Sequence, residues 1–213
     1  MYRFVDKARY NSYRLVCEEV LQKVYHRMKK RYKLTAFIYP IGSGKYHLVT
    51  QDGNGPFDLD YNVEFHKLPL ELQRDPRKLK DEFRLLFDRF GQQYFLPGRD
   101  STSSIKFLSR ANNNAGRNRF SVDIGLIRHH DVGLPNSRLI HDKAKGMFSW
   151  EESLSQGKVR AKIKAIRAVG KWQTLREKYL DRKNLYLSRQ DEDHPSYVVL
   201  TEVVNEYYSE VVR

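Results

Sequence analysis

The 213 residues are enough for one substantial domain or two small ones with a buried core. Apolar residues make up 40% of the chain and charged residues 31%, which indicates a folded protein and excludes a disordered one. Because 39 Lys and Arg face 26 Asp and Glu, the net charge is +13. This charge favours an anionic partner such as nucleic acid or nucleotide phosphate, although a solvated basic surface gives the same count.

Cys17 is the single cysteine, so an internal disulfide and a cysteine-rich zinc site are both excluded. Residues 1–11 lack the apolar run of a signal peptide. No stretch approaches the roughly 18 apolar residues of a membrane span. We therefore expect a cytoplasmic protein with no membrane partner, whose oligomeric state the sequence leaves open.

The first third of the chain predicts a helix and two strands. Apolar residues recur at three- and four-residue spacing over 13–28, which is typical of an amphipathic helix. Residues 34–41 are rich in β-branched and aromatic side chains and predict a strand that runs into a tight turn at Gly42-Ser43. Residues 57–65 alternate apolar and polar, which predicts a half-buried strand with Asp58 and Asp60 on the same face.

Later residues predict further strands and then helices. Pro76 begins a helix that runs to about residue 94. Residues 104–109 and 119–128 predict two strands joined by a hairpin turn at 111–116, and Asp123 lies in the second strand. After a loop at 133–136, helical patterns cover residues 159–179 and 196–212, with a polar break at 191–195.

The predicted elements indicate an α+β fold with two regions. Residues 1–130 are expected to form a core of mixed sheet with flanking helices, including the N-terminal helix. Residues 131–213 are expected to form a mainly helical C-terminal region packed on that core.

Three aspartates within the predicted strands carry the chemistry. Asp58 and Asp60 share one strand face, and Asp123 adds a carboxylate from a later strand. Carboxylate oxygens are the ligands that Mg²⁺ prefers, and substrate phosphates commonly complete its shell. Two such ions about 3.5–4 Å apart activate an attacking oxygen and stabilise leaving pyrophosphate. The alternative, a solvated polar face of an edge strand, accounts for Asp58 and Asp60 but not for Asp123 among apolar neighbours.

The order of these features resembles the polymerase-β-like nucleotidyltransferase superfamily over about residues 32–128. The motifs that carry the resemblance are Ile41-Gly42-Ser43, Phe57-Asp58-Leu59-Asp60-Tyr61 and Val122-Asp123-Ile124. The separation of Ser43 from Asp58 is similar to that in the branch of oligoadenylate synthetases and cyclic-dinucleotide synthases. The resemblance implies a nucleotidyltransferase-like mixed sheet with flanking helices.

The same resemblance implies a function and assigns roles. Gly42 and Ser43 would hold the nucleotide phosphates, Asp58 and Asp60 would bind two Mg²⁺ ions, with Mn²⁺ as an alternative, and Asp123 would bind one ion and orient or activate the acceptor hydroxyl. The implied reaction moves a nucleoside monophosphate from an NTP to an acceptor. The acceptor stays open among a second nucleotide, RNA, a small molecule and a protein hydroxyl.

The residues after the turn depart from the family pattern. Gly44-Lys45-Tyr46 replaces its usual helical stretch, and Lys45 is either a phosphate contact or an ordinary surface lysine. A P-loop is excluded because Tyr39 and Tyr46 occupy positions that this motif reserves for glycine and for serine or threonine.

Two other clusters invite a rival interpretation. His129-His130-Asp131 lacks the spacing of a helical zinc site, and we expect a loop there. The basic run at residues 158–171 is typical of one amphipathic helix with a basic face, which fits a transferase, a solvated surface or a non-catalytic nucleic-acid- or nucleotide-binding protein.

Overall fold

The structure, a computed structural model, describes residues 1–53, 55–110, 120–131, 133–153, 157–189 and 196–212. The predicted turn at 111–116 and the predicted break at 191–195 lie outside these residues. The strands are β1 (Tyr2–Phe4), β2 (Thr35–Pro40), β3 (Thr50–Asp52), β4 (Phe57–Lys67), β5 (Arg99–Asp100), β6 (Ile105–Leu108), β7 (Phe120–Arg128), β8 (Ser137–Asp142) and β9 (Met147–Glu152). The helices are α1 (Lys7–Tyr32), α2 (Gly42–Lys45), α3 (Leu70–Arg74), α4 (Pro76–Gly91), α5 (Gly157–Ala168), α6 (Trp172–Ser188) and α7 (Ser196–Val211).

Most predicted elements are confirmed within a few residues of their expected ends. The helix predicted at 13–28 is the middle of α1, and the strands predicted at 34–41, 57–65, 104–109 and 119–128 are β2, β4, β6 and β7. The helix predicted from Pro76 is α4, with proline in its first turn. The structure thus has the expected α+β class.

The C-terminal third is mainly helical, as expected, but differs from the sequence prediction in two details. The helical pattern at 159–179 is two helices, because Gly170 adopts a positive φ of 70° between α5 and α6. Residues 137–152 form the hairpin of β8 and β9 in a region expected to be mainly helical. In Ser137–Asp142 and Met147–Glu152 only Leu139 is buried, and apolar residues stand side by side, as in Leu139-Ile140 and Met147-Phe148, so the alternating pattern of a strand is absent.

The chain forms two compact units, both discontinuous in sequence. We call Asp6–Ile41 with Gly55–Ser153 the sheet unit, and Met1–Val5, Gly42–Asn54 and Leu154–Arg213 the helical unit. The division into regions 1–130 and 131–213 stays a prediction. The compact units differ from it because residues 42–54 belong with the C-terminal helices and residues 131–153 belong with the sheet.

The sheet unit contains a seven-stranded sheet, in which five strands follow the order β2-β4-β7-β6-β5 and β8 and β9 extend it from β7. Its strand pairs are antiparallel except for β4 and β7, which run parallel and place Asp60 opposite Asp123. Strand β8 pairs with the last residues of β7, beyond the part of β7 that pairs with β6. Strand β7 is therefore central and has neighbours along both edges.

Helices α1 and α4 cover the apolar face of this sheet. Tyr61, on the face of β4 opposite the aspartates, lies with its hydroxyl 3.5 Å from the Glu18 carboxylate of α1. The ring of Phe87 in α4 stacks on that of Phe107 in β6, with 3.9 Å between centroids. Burial of these rings fixes which strand face meets the helices and leaves the other to polar side chains.

In the helical unit, the segment that follows β2 packs on the C-terminal helices. Tyr46 and Leu48 are buried in a cluster with residues of α5, α6 and α7, which are Val159, Ile163, Ile166, Leu175, Tyr179, Val199, Leu200, Val203, Val204 and Tyr207. Strands β1 and β3 form a short antiparallel pair in the same unit. The helical turn α2 is thus fixed by the apolar side chains that follow it.

Within the described part of the chain, the helices lack the combination of length and apolar character that crossing a bilayer requires.

Replacing Phe87 with alanine should lower the free energy of unfolding by about 3–5 kcal/mol, because it removes a fully buried ring from the α4–sheet interface. Leu85→Ala is the matched control on the same helix, because that side chain is 62% exposed and its loss should cost no more than about 0.5 kcal/mol. Urea unfolding followed by circular dichroism measures both. Equal losses would contradict the packing of α4 described above.

Candidate active site

The three predicted aspartates come together on the polar face of the β4–β7 pair. Asp58 and Asp60 alternate with buried Leu59 along β4, and the parallel register places Asp123 of β7 directly across from Asp60. Asp58 and Asp123 both contact Lys106. The Asp58 side chain is the more exposed of the two, at 60% against 24% for Asp123. The sequence-predicted carboxylates therefore form one cluster.

Lys106 of β6 lies between two of these carboxylates. Its ammonium is 3.3 Å from Asp58 Oδ1 and 3.3 Å from Asp123 Oδ2. Ser121 donates a hydrogen bond to Asp58, and the Ser104 hydroxyl donates one of 2.9 Å to Asp123 Oδ1. Although burial favours the neutral amine, the two carboxylates raise the pKa of Lys106 above its ordinary value.

The surroundings of Asp60 disfavour its charged form. Burial, followed by the negative charges of Asp123 and Asp58, raises its pKa to about 7, and the cations of Lys106 and Arg138 offset this only in part. A carboxylate in this state carries negative charge that the protein does not fully compensate. Perturbed pKa values of this kind cluster at functional sites.

Arg138 of β8 lies across the neighbouring part of the same face. Its Nη2 donates to Asn62 Oδ1 at 3.2 Å and its Nη1 to the Ser103 carbonyl at 3.2 Å. A Cβ atom at Gly125 would lie 2.2 Å from Nη1, so the absence of a side chain at this position makes room for the guanidinium. The unpredicted β8 thereby supplies a cation that acts on Asp60.

The predicted phosphate contacts lie in the helical unit. Gly42, with a φ of 57°, opens the helical turn α2, and the Ser43 carbonyl accepts hydrogen bonds from the backbone N–H groups of Tyr46 and Leu48. The turn expected from the sequence is thus present as a four-residue helix. Burial, followed by the charge of Arg160, lowers the pKa of Lys45.

Lys45 shares a cleft of about 510 Å³ with cations of α5. Its lining includes Arg160, Lys164 and Arg167, and none of the described residues that line it is acidic. Four clustered cations attract a multiply charged anion, and guanidinium groups bind phosphate oxygens in bidentate fashion. Three cations of the basic run at residues 158–171 therefore line the same cleft as Lys45, the predicted phosphate contact.

Several residues of these sites were not predicted from the sequence as functional. They are Ser104, Lys106, Ser121, Gly125 and Arg138 in the sheet unit. Lys106 lies in β6, which the sequence predicts as part of a strand at 104–109, and Ser104 directly precedes β6. An available signal was therefore the alternation of that predicted strand, which places Lys106 and Ser104 on the same face.

The donor set fits a hard divalent cation. Three carboxylates on one face supply oxygen ligands, and burial together with the charges of Asp123 and Asp58 raises the pKa of Asp60, which disfavours its charged form unless a further cation is bound. Ligand atoms that share one metal ion lie close together, and among the described residues the three aspartates do not bring one oxygen each within 4.8 Å of the other two. Lys106 bridges Asp58 and Asp123, and ligands spread over more than one ion are what a two-metal site would need.

No family model and no curated protein matches the chain. Among solved structures, it superposes on Escherichia coli DncV in a 3′-deoxy GTP bound form with a TM-score of 0.61 and 11% identity, covering 94% of this chain and 68% of that one. The chain has the nucleotidyltransferase fold. This confirms the resemblance at the level of fold.

Two further structures share the nucleotidyltransferase fold. E. coli MS115-1 CdnC with ATP matches with a TM-score of 0.53 and 19% identity over 94% of this chain and 61% of that one. Elizabethkingia meningoseptica CdnE, a cyclic dinucleotide synthase with GTP and Apcpp, matches with a TM-score of 0.52 and 11% identity over 91% of this chain and 69% of that one. The chain thus spans less than two thirds of CdnC.

Asp60→Asn should stabilise the metal-free protein by about 1–2 kcal/mol above pH 7, because it removes an under-compensated charge. In the folded protein the pKa of Asp60 is raised to about 7, so the folded state holds this proton more tightly than the unfolded state. The wild type therefore loses this stability as pH rises from about 4 to about 7. The advantage of the variant should grow over the same range and then level off.

Urea unfolding in EDTA across this pH range provides the measurement. Glu19→Gln, which removes an exposed carboxylate on α1, controls for the loss of one negative charge and should change the free energy of unfolding by no more than about 0.5 kcal/mol. An Asp60→Asn variant less stable than the wild type at pH 8 would contradict the electrostatic account.

Proposed function

We propose that this protein is a divalent-metal-dependent nucleotidyltransferase that moves a nucleoside monophosphate from an NTP to an acceptor hydroxyl. The observation that carries the proposal is the pairing of Asp60 with Asp123 across parallel strands, with Asp58 on the same face. The fold shared with DncV, CdnC and CdnE supports it. Asp58, Asp60 and Asp123 would hold Mg²⁺, or Mn²⁺ as an alternative.

In the proposed reaction the acceptor oxygen attacks the α-phosphorus in line. The new bond joins that phosphorus to the acceptor oxygen, and the bond to the bridging oxygen of the β-phosphate breaks, so that pyrophosphate leaves. Asp58, Asp60 and Asp123 would hold the divalent metal, which when bound would help to activate the attacking oxygen and neutralise the leaving group. Asp123, which accepts a hydrogen bond from the Ser104 hydroxyl, would orient or activate the acceptor hydroxyl, the role that the family resemblance implies, and we assign to it the proton that this hydroxyl releases.

The phosphates of the donor nucleotide are assigned to the helical unit. Gly42 and Ser43 are the proposed backbone and hydroxyl contacts, and Lys45, Arg160 and Lys164 supply positive charge from one cleft. A triphosphate carries enough charge to offset the mutual repulsion of these cations. The net charge of +13 supports the same anionic substrate.

A second nucleotide is the acceptor that the comparisons favour among those left open by the sequence. CdnE is described as a cyclic dinucleotide synthase. Vibrio cholerae DncV, solved as a cyclic AMP-GMP synthase with the linear intermediate 5′ pppA(3′,5′)pG, matches with a TM-score of 0.52 and 12% identity. RNA, a small molecule and a protein hydroxyl are the other acceptors to be tested.

A non-catalytic nucleotide- or nucleic-acid-binding protein is the second candidate. The observation that favours it is Lys106, whose ammonium already contacts two of the three aspartates where a metal would bind. Under this alternative, the basic cleft binds nucleotide without turnover. Enzymatic assays separate the two functions.

Asp58→Asn combined with Asp60→Asn should reduce metal-dependent turnover at least about 1,000-fold, because the carboxylates that hold the metal are lost while side-chain size is kept. The assay incubates the protein with each labelled NTP and Mg²⁺ or Mn²⁺, alone, in pairs and with RNA, and separates the products. Glu19→Gln is the control and should retain full turnover. Undiminished product formation by the double variant would refute the assignment.

Arg160→Ala and Lys164→Ala should each weaken NTP binding about tenfold, because each removes a charged contact to phosphate. Lys158→Ala is the matched control, an exposed cation on the same helix that does not line the cleft. Equilibrium binding of a labelled NTP provides the readout. Equal weakening by all three variants would indicate a diffuse charge effect and contradict a phosphate-binding cleft.

A further inference from the structure

A second cluster of ligand-type side chains lies at the far end of the same two strands. Glu64 Oε1 is 3.0 Å from His66 Nε2 and 3.1 Å from His129 Nδ1. Among the described residues, these three form the group whose donor atoms all lie within 4.8 Å of one another. His129 lies in residues 129–131, which were predicted from the sequence to be a loop without a metal site.

The β4–β7 pairing determines this arrangement. Glu64 and His66 are two residues apart on β4 and therefore share its polar face. The parallel register continues past Phe65 and Arg128, where the His129 N–H donates to the Phe65 carbonyl at 3.0 Å. This places the His66 and His129 rings side by side, with centroids 4.0 Å apart and an interplanar angle of 18°.

Neighbouring side chains hold the cluster in place. The Tyr39 hydroxyl donates a hydrogen bond of 2.5 Å to Glu64 Oε2, which leaves Oε1 turned towards both imidazoles. The Phe37 ring meets the His66 ring edge-on at 4.7 Å between centroids. Glu64 is also the least exposed of the three ligand side chains, at 14%. A carboxylate held by a second partner is a common feature of built metal sites.

We propose that Glu64, His66 and His129 bind a transition-metal ion of the Zn²⁺ class, separate from the aspartate site. Two imidazole nitrogens and one carboxylate are a donor set that suits Zn²⁺ and disfavours Mg²⁺, which selects oxygen ligands. Bonds of about 2.0–2.1 Å in a tetrahedron separate neighbouring donors by about 3.3 Å. The observed separations of 3.0 and 3.1 Å thus need to open by only a few tenths of an ångström.

The bound ion would tie the end of β4 to the end of β7. Glu64 lies four residues beyond Asp60 on the same strand face, about 13 Å away at 3.3 Å per residue. The cluster therefore does not share ligands with the aspartates. Three protein ligands leave one position of a tetrahedron for water or another small ligand.

Isothermal titration calorimetry with Zn²⁺ in excess Mg²⁺ tests the site on the full chain. The wild type should bind one equivalent, and His66→Ala and His129→Ala should each weaken binding at least about 100-fold. Tyr39→Phe should weaken it about tenfold, because the ring stays and only the hydroxyl that orients Glu64 is lost. His26→Ala is the control, an exposed histidine whose ring contacts its own helix, and should bind as the wild type does.

A second readout keeps the test independent of any one variant. Zn²⁺ at about a hundredfold excess over Kd should raise the Tm of the wild type by roughly 5–10 °C, and the shift should vanish in His129→Ala. Asp58→Asn combined with Asp60→Asn should retain Zn²⁺ affinity, which distinguishes this cluster from the aspartate site. Zn²⁺ affinity in the wild type no greater than in His66→Ala, or lost in the aspartate variant, would overturn the proposal.

Discussion

The parallel pairing of β4 with β7 is the constraint on which the rest of the sheet unit depends. Because side chains alternate along both strands, one register decides every neighbour on the polar face. It places Asp60 opposite Asp123 and, farther along, brings His129 to Glu64 and His66. A shift of one residue between the strands would separate both the aspartate group and the Glu64, His66 and His129 group. It would turn the polar side chains of one strand towards the apolar face.

The apolar face enforces that register. Leu59, Tyr61, Val63 and Phe65 are almost fully buried, and helices α1 and α4 cover this side of the sheet. Burial of each large apolar side chain stabilises the fold by about 1.5–3 kcal/mol, so a shifted strand would lose several such contributions at once. The energy that keeps the carboxylates close together, against their mutual repulsion, thus comes from the opposite face of the same strand.

Local patterns predicted the elements well where burial follows a simple period. The alternation at residues 57–65 identified β4 and its aspartate face, and Pro76 marked the start of α4. The hairpin β8–β9 was missed because only Leu139 in it is buried, so its apolar residues do not alternate with polar ones. Gly170 was missed as a helix break because an isolated glycine within a helical pattern is often tolerated.

The aspartates themselves could be predicted from the sequence, but their surroundings could not. Lys106 and Arg138 reach the site through pairings of β6 and β8 with β7, and pairing of distant strands leaves no local signal. Gly125 gives no hint in sequence that it makes room for a guanidinium. The interpretation of residues 129–131 as a loop overlooked His129, because its partners Glu64 and His66 lie more than 60 positions earlier in the chain.

Lys106 has a consequence for how the site responds to the supply of metal. An ammonium tethered to β6 cannot be diluted or chelated away, whereas a free ion can. The cluster therefore carries a permanent counter-charge that limits repulsion between Asp58 and Asp123 at any metal concentration. Under the proposed function, a divalent ion would have to displace the Lys106 ammonium from the carboxylates without removing it from the protein, so occupancy would follow metal availability while the strands stay assembled.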